Sequence, residues 1–96
     1  MLTALHQLAF RLFPGGSEIT PDQIRVRQRS GWVTIPKDQI HAVKARNVSH
    51  VIVRLFNGQR LVLNFFRFPV DEFLQLLRAL RDSQRANEVA RSAEGR

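Results

Sequence analysis

Residues 50–66 read HVIVRLFNGQRLVLNFF. Two β-rich runs, His50–Phe56 and Gln59–Phe66, flank an Asn57-Gly58 pair. Asn-Gly is the preferred filler of a two-residue type I′ turn, which needs φ > 0 at both central positions. Such a turn sets Phe56 opposite Gln59, Arg54 opposite Leu61, Ile52 opposite Leu63 and His50 opposite Phe65. One face of the ribbon then carries Ile52, Phe56, Leu61, Leu63 and Phe65. The other carries Val51, Val53, Leu55 and Val62, interrupted by Arg60 and Asn64. A ribbon apolar on both faces needs cover on both. Val51, Val53, Leu55 and Val62 are therefore candidate interface residues.

Outward from the ribbon, the period of the apolar residues changes. Towards the C-terminus, Pro69 opens a helix with Asp71 and Glu72 in its first turn, where the macrodipole favours negative charge. Its expected core stripe is Val70, Phe73, Leu74, Leu77 and Leu80, with Leu76 on the shoulder. The next position on that stripe is Gln84, so docking is expected to end near Leu80. Ala86, Val89, Ala90 and Ala93 fall on the opposite side of a continued helix, which either frays or packs elsewhere.

Towards the N-terminus, Ile24–Arg29 alternates: Ile24 and Val26 point one way, Arg25, Arg27 and Arg29 the other. Ser30-Gly31 turns the chain into Trp32–Ile35, and Pro36-Lys37-Asp38 breaks that strand. Ile40–Arg46 is a further strand. Its anchors Ile40 and Val43 are three apart, which predicts a bulge or a turn of helix near His41. Residues 2–13 place Leu2, Leu5, Leu8, Ala9, Leu12 and Phe13 at helical spacing, and Pro14-Gly15-Gly16 closes that segment. An amphipathic N-terminal helix is expected there, covering its own sheet or a partner's, with Leu5 and Leu12 as interface candidates. A helix lying on a membrane surface usually carries several cations on its polar face, and this one has Arg11 alone.

The order is thus an N-terminal helix, four or five short antiparallel strands in meander and a C-terminal closing helix, an α+β pattern. Ninety-six residues suffice for one modest core. Hydrophobic residues make up 44% and charged residues 24%, the balance of a folded chain rather than a disordered one. There is no cysteine, which removes disulfides, thiolate nucleophiles and thiolate zinc sites. No apolar run reaches the roughly 18 residues of a membrane span, and no Lys or Arg precedes the first apolar stretch as a signal peptide requires. A cytoplasmic protein, or one peripheral to a membrane, is expected.

The run ITPDQIRVRQRSGWVTIPKDQIHAVKARNVSHVIVRLFNGQRLVLNFFRFPVDEFLQLLRAL, residues 19–80, resembles the bacterial pleckstrin-homology-like (PH-like) domains. The shared pieces are a short "t-x-d-x-I" strand (Thr20–Ile24), a strand ending in "I-P" (Val33–Pro36) and an "I-x-x-V" segment (Ile40–Val43). A hairpin with an Asn-Gly-like tip (Val51–Leu63) and an amphipathic closing helix (Val70–Leu80) follow. The resemblance implies a bent, partly open barrel plugged by the closing helix. A full domain of that kind has about seven strands, so the expected form here is a bent sheet or partial barrel. It divides the chain into an N-terminal helix and linker (1–16), a PH-like domain (17–82) and a polar tail or helix extension (83–96).

Charge bears on partners. The net charge is +7, and thirteen of the fifteen basic residues are Arg. A basic surface favours phosphate partners. Arg25, Arg27 and Arg29 form the densest row, with Lys37, Lys44 and Arg46 next along the chain; these six are the anion-binding candidates. The plainer account is a solvated strand face whose charges block edge-to-edge aggregation. The aromatics do not interleave with the arginines: Phe56, Phe65, Phe66, Phe68 and Phe73 fall where a core or its margin is expected. Nucleic acid therefore ranks behind other partners. The resemblance suggests a phosphoinositide-type head group, although many PH-like domains bind proteins instead.

Catalytic signals are absent from the motifs. His6, His41 and His50 lack metal-ligand spacing, no Gly-x-Ser-x-Gly occurs, and Gly15-Gly16 follows a helix instead of opening one. No catalytic residue, metal or cofactor is expected. The expected function is a non-catalytic binding or assembly module acting through protein contacts, self-association included. The alternative is a basic module for nucleic acid or anionic lipid head groups.

Overall fold

A computed structural model describes residues 11–12 and 16–94. Seven strands and one long helix follow in order: β1 Arg11–Leu12, β2 Glu18–Ile19, β3 Gln23–Gln28, β4 Gly31–Pro36, β5 Ile40–Ala45, β6 His50–Leu55, β7 Arg60–Asn64 and α1 Val70–Glu94. A 3-10 turn, Lys37–Gln39, joins β4 to β5. One sheet has the order β1-β2-β3-β4 and the other β5-β6-β7, with every pairing antiparallel. Among the described residues no ladder joins the two sheets, so they do not close into a barrel.

The α+β class is as expected, but the described residues form seven strands rather than four or five. The additional pair, β1 and β2, is too short for periodicity to register. Arg11 and Leu12 belong to the segment expected to be helical, yet they are extended and pair with Ile19 and Glu18. Helical spacing of apolar residues is a local signal, and it takes no account of the hydrogen bonds offered by the open edge of β2. The remainder of the expected helix, residues 2–10 and 13, lies outside the described residues, as does Leu5.

The β6–β7 hairpin departs from the expected turn by one residue. Leu55 N–H donates to Gln59 O at 2.9 Å and Gly58 N–H to Leu55 O at 3.0 Å. Of the turn residues only Gly58 has positive φ, at 90°. The loop is therefore a type I turn followed by a left-handed glycine, with three residues rather than two. The side chain of Asn57 accepts the Gln59 amide at 2.8 Å, which stabilises this form. The pairs become Val53–Leu61, Ile52–Val62 and Val51–Leu63. Shifting register by one moves every side chain of a strand to the other face. Val51, Val53 and Leu55 now share the inner face with Leu61, Leu63 and Phe65, and the ribbon is not apolar on both sides.

That inner face meets Ile24, Val26 and Ile35 from the first sheet and Leu76 and Leu80 from α1 in a single core. Val51, Val53 and Leu63 are fully buried, each stabilising the fold by roughly 1.5–3 kcal/mol relative to exposure. Three of the expected interface residues, Val51, Val53 and Leu55, are thus core residues.

α1 starts after Pro69 as expected, but its buried face is rotated. Leu76, Leu80, Glu72 and Ser83 are buried, while Val70 and Leu74 are exposed. The polar Glu72 is turned inward because Ser17, fully buried, donates its hydroxyl to Glu72 Oε2 at 2.7 Å. Docking also does not stop near Leu80. Gln84 accepts the Val43 N–H at 2.9 Å, and Asn87 Nδ2 donates to Lys37 O and Ile40 O, both at 2.8 Å. Further along, the Arg91 guanidinium lies 3.4 Å from the centroid of the Phe56 ring. Helix α1 runs unbroken to Glu94 because polar side chains satisfy the open edge of β5 and its bulge between Ile40 and Ala42. That bulge is the one expected near His41.

The turn assignment predicts that Gly58→Val destabilises the protein by about 1–2 kcal/mol, since a left-handed backbone is strained for a residue with a Cβ. Nothing lies within 4 Å of the Cβ position, so the cost is conformational. Gly58→Asn should cost less, because Asn tolerates this region. Urea unfolding of both variants checks the order; equal midpoints would contradict the turn.

Candidate anion-binding corner

The two sheets, unjoined by any ladder, are tied at one corner by a side chain. Gln28, the last residue of β3, donates from Nε2 to Asn64 O at 3.0 Å and accepts the Asn64 N–H at 2.8 Å. Its amide imitates a backbone bridge between β3 and β7. Asn64 also faces His50 across the β6–β7 ladder, and Phe65 N–H donates to Ser49 O at 2.6 Å. The β3–β4 turn, the β5–β6 turn and the β7–α1 loop therefore converge at one end of the fold.

Between the first and last of these lies a cleft of about 560 Å³, lined by Arg27, Gln28, Arg29, Ser30, Asn64, Phe66, Arg67 and Phe68. Three arginines and no carboxylate line it. Guanidinium stays charged at any physiological pH and can bind phosphate or carboxylate through paired N–H donors. The loop carrying Arg67 is held from below. Phe65 is buried and stacks edge-on against Phe68 and Phe73, with ring centroids 5.0 Å and 5.1 Å apart. Its neighbour Phe66 consequently points out, 76% exposed.

The six anion-binding candidates do not form one site. Arg27 and Arg29 reach the cleft. Arg25 is engaged elsewhere: it pairs with Glu18 at 3.2 Å and lies 4.6 Å over the Trp32 ring. Lys37 lies in the 3-10 turn and lines a separate cleft that also contains Asp22, Asp38 and Asp82, a setting poor for anions. Lys44, in β5, belongs to the second sheet, and Arg46 follows it in the β5–β6 turn. Of the interface candidates, Leu12 lies in β1 and Val62 is exposed on the outer face of the second sheet.

Arg67 and Phe66 were not among the candidates. The run Phe65-Phe66-Arg67-Phe68 looks like core, and the available signal is that β7 ends at Asn64, after which alternate residues need not be buried. The expectation that Phe66 lies in the core or at its margin is overturned; Phe65 is buried, and Phe68 and Phe73 are half-buried. The His41 ring lies against Phe56, with centroids 4.7 Å apart and the planes tilted by 39°. Among the described residues no cluster of His, Cys, Asp or Glu could hold a metal ion, and no helix is long and apolar enough to cross a membrane.

No family model, curated protein or solved structure matches this chain.

If Gln28 ties the corner, Gln28→Ala should lower stability by about 1–2 kcal/mol for the two lost hydrogen bonds. Hydrogen exchange of the Asn64 amide should accelerate more than that of Val53, deep in the same sheet. Uniform acceleration would show that the bracket has no local role.

Proposed function

We propose that this protein is a non-catalytic binding module of the PH-like kind, and that its loop end holds a phosphate-bearing partner. The observation that carries this reading is the convergence of Arg27, Arg29 and Arg67 on one cleft without an opposing carboxylate, beside an exposed Phe66. Three fixed positive charges in a concave site concentrate anions and speed their encounter. The PH-like part is supported by strands grouped four and three and followed by a helix against an open barrel. It is supported too by the turn at the "t-x-d" position, where Thr20 N–H donates to Gln23 O at 3.0 Å and Thr20 Oγ1 accepts the Gln23 N–H at 3.1 Å. Fold alone does not choose the ligand, so the ligand class rests on the cleft.

The test titrates the protein with a single-stranded oligonucleotide and, separately, with vesicles containing anionic lipid. Arg27→Ser, Arg29→Ser and Arg67→Ser combined should weaken binding at least about tenfold. With the oligonucleotide, the slope of log K against log salt should become shallower by about 2, for three lost phosphate contacts. Binding that is unchanged in the triple variant, or absent with both probes, would reject the corner as an anion site.

A second reading, self-association through protein contacts, is favoured by Val70 and Leu74. They are adjacent on α1 at i, i+4 and are 71% and 53% exposed. On that reading sedimentation at rising concentration shows a dimer, and Leu74→Glu restores the monomer. A wild-type monomer at all concentrations would exclude it.

A further inference from the structure

The outer face of the first sheet continues the corner cleft. Arg27 lines that cleft, and in the β3–β4 ladder it stands directly opposite Trp32. Opposed residues of two antiparallel strands share one face of the sheet. Ile24 and Val26 fill the inner face, so Trp32 stands on the outer one, where it is 43% exposed. Arg25, held by Glu18, lies over its ring at 4.6 Å from the centroid. The stem of Arg27 rests on Gly16, where an added Cβ would lie 3.1 Å from Arg27 Cδ. Phe66, in the same cleft as Arg27, is the second exposed ring of this region. Aromatic rings and arginines that do not interleave along the chain are therefore interleaved in space: Trp32 and Phe66 with Arg27, Arg29 and Arg67.

We propose that the phosphate-bearing partner of this corner is a single-stranded nucleic acid, an inference that rests on the anion-binding reading above. Two unpaired bases would stack on Trp32 and Phe66, while Arg27, Arg29 and Arg67 pair with the phosphates. Every base has a π-face, so such stacking tolerates any sequence. A duplex keeps those faces stacked inside and offers the rings nothing. The cleft wall also carries Gln28, Ser30 and Asn64, polar groups suited to base edges and sugars. A bilayer fits the same features less well. Sinking Phe66 into it would take these polar neighbours out of water, and sinking Trp32 would take Arg25 with it. Both carry a desolvation cost that a hydrated strand does not impose. A phosphopeptide would use the arginines and leave both rings without a stacking partner.

Trp32 is the only tryptophan in a chain without tyrosine, so its emission reports on this surface directly. The full chain is titrated at constant salt with an oligothymidylate of about 12 nucleotides and with an abasic strand carrying the same number of phosphates. Vesicles of phosphatidylcholine and phosphatidylserine form the third arm. Oligothymidylate should quench the Trp32 emission and bind at least about fivefold more tightly than the abasic strand. By anisotropy of labelled strands, Phe66→Ala and Trp32→Ala should each weaken oligothymidylate binding at least about fivefold. Both should leave the abasic strand and the melting temperature unchanged. If Trp32→Ala does not fold, Phe66→Ala, altered at an exposed loop position, decides the matter. Equal binding of the two strands, lost in Arg27→Ser, Arg29→Ser, Arg67→Ser, would overturn the stacking inference and keep the corner as a phosphate site. Oligothymidylate binding that survives that triple variant, or no binding of any probe, would overturn both. Tighter binding to the vesicles than to oligothymidylate, weakened by Phe66→Ala, would overturn the inference in favour of a membrane.

Discussion

The left-handed backbone of Gly58 governs which side of the ribbon is apolar. A three-residue turn with one positive-φ glycine sets the β6–β7 register, and the register sends Val51, Val53, Leu55, Leu61, Leu63 and Phe65 to the same side. The two-residue alternative would divide these residues between two faces. With them gathered, one surface of the second sheet is almost wholly apolar and can close on Ile24, Val26 and Ile35 of the first. The opposite surface is left to Arg54, Arg60, Lys44 and the exposed Val62. Core and outer charge pattern are two consequences of one turn.

Helix α1 then solves a problem created by the short second sheet. β5 lies at the edge of that sheet, and an open edge presents unpaired backbone groups. Leu76 and Leu80 bring the helix onto the core, and Gln84 and Asn87 bond the exposed backbone of β5 and the turn before it. Polar residues at the end of an apolar stripe act as capping groups for a neighbouring strand. The same logic holds at the opposite corner, where the Gln28 amide bridges β3 and β7 in place of a ladder. The margins of the two sheets are held by side-chain amides.

These closures shape the surface. With the β3–β4 turn tied to the β7–α1 loop, Arg27, Arg29 and Arg67 share a cleft although they are distant in the chain. Burial of Phe65 against Phe68 and Phe73 forces Phe66 outward beside them. Arg25, in the same alternating row as Arg27 and Arg29, is withdrawn by Glu18 and Trp32. A row that is uniform in sequence is therefore divided in space.

Much of this could be read directly from the residues. Alternation in Ile24–Arg29, the turn at Ser30-Gly31, the irregularity near His41, the hairpin itself and the helix opened by Pro69 all follow from local stereochemistry, which depends on neighbours a few positions away. The exact hairpin register, the pairing of Arg11–Leu12 with β2, the rotation of α1 towards Glu72 and the grouping of Arg67 with Arg27 and Arg29 were decided only in three dimensions. Each depends on a contact between distant residues: an open strand edge, a buried Ser17 hydroxyl, a glutamine amide spanning two sheets. Periodicity indicates what a segment prefers on its own, whereas these features depend on groups that only folding brings within hydrogen-bonding reach.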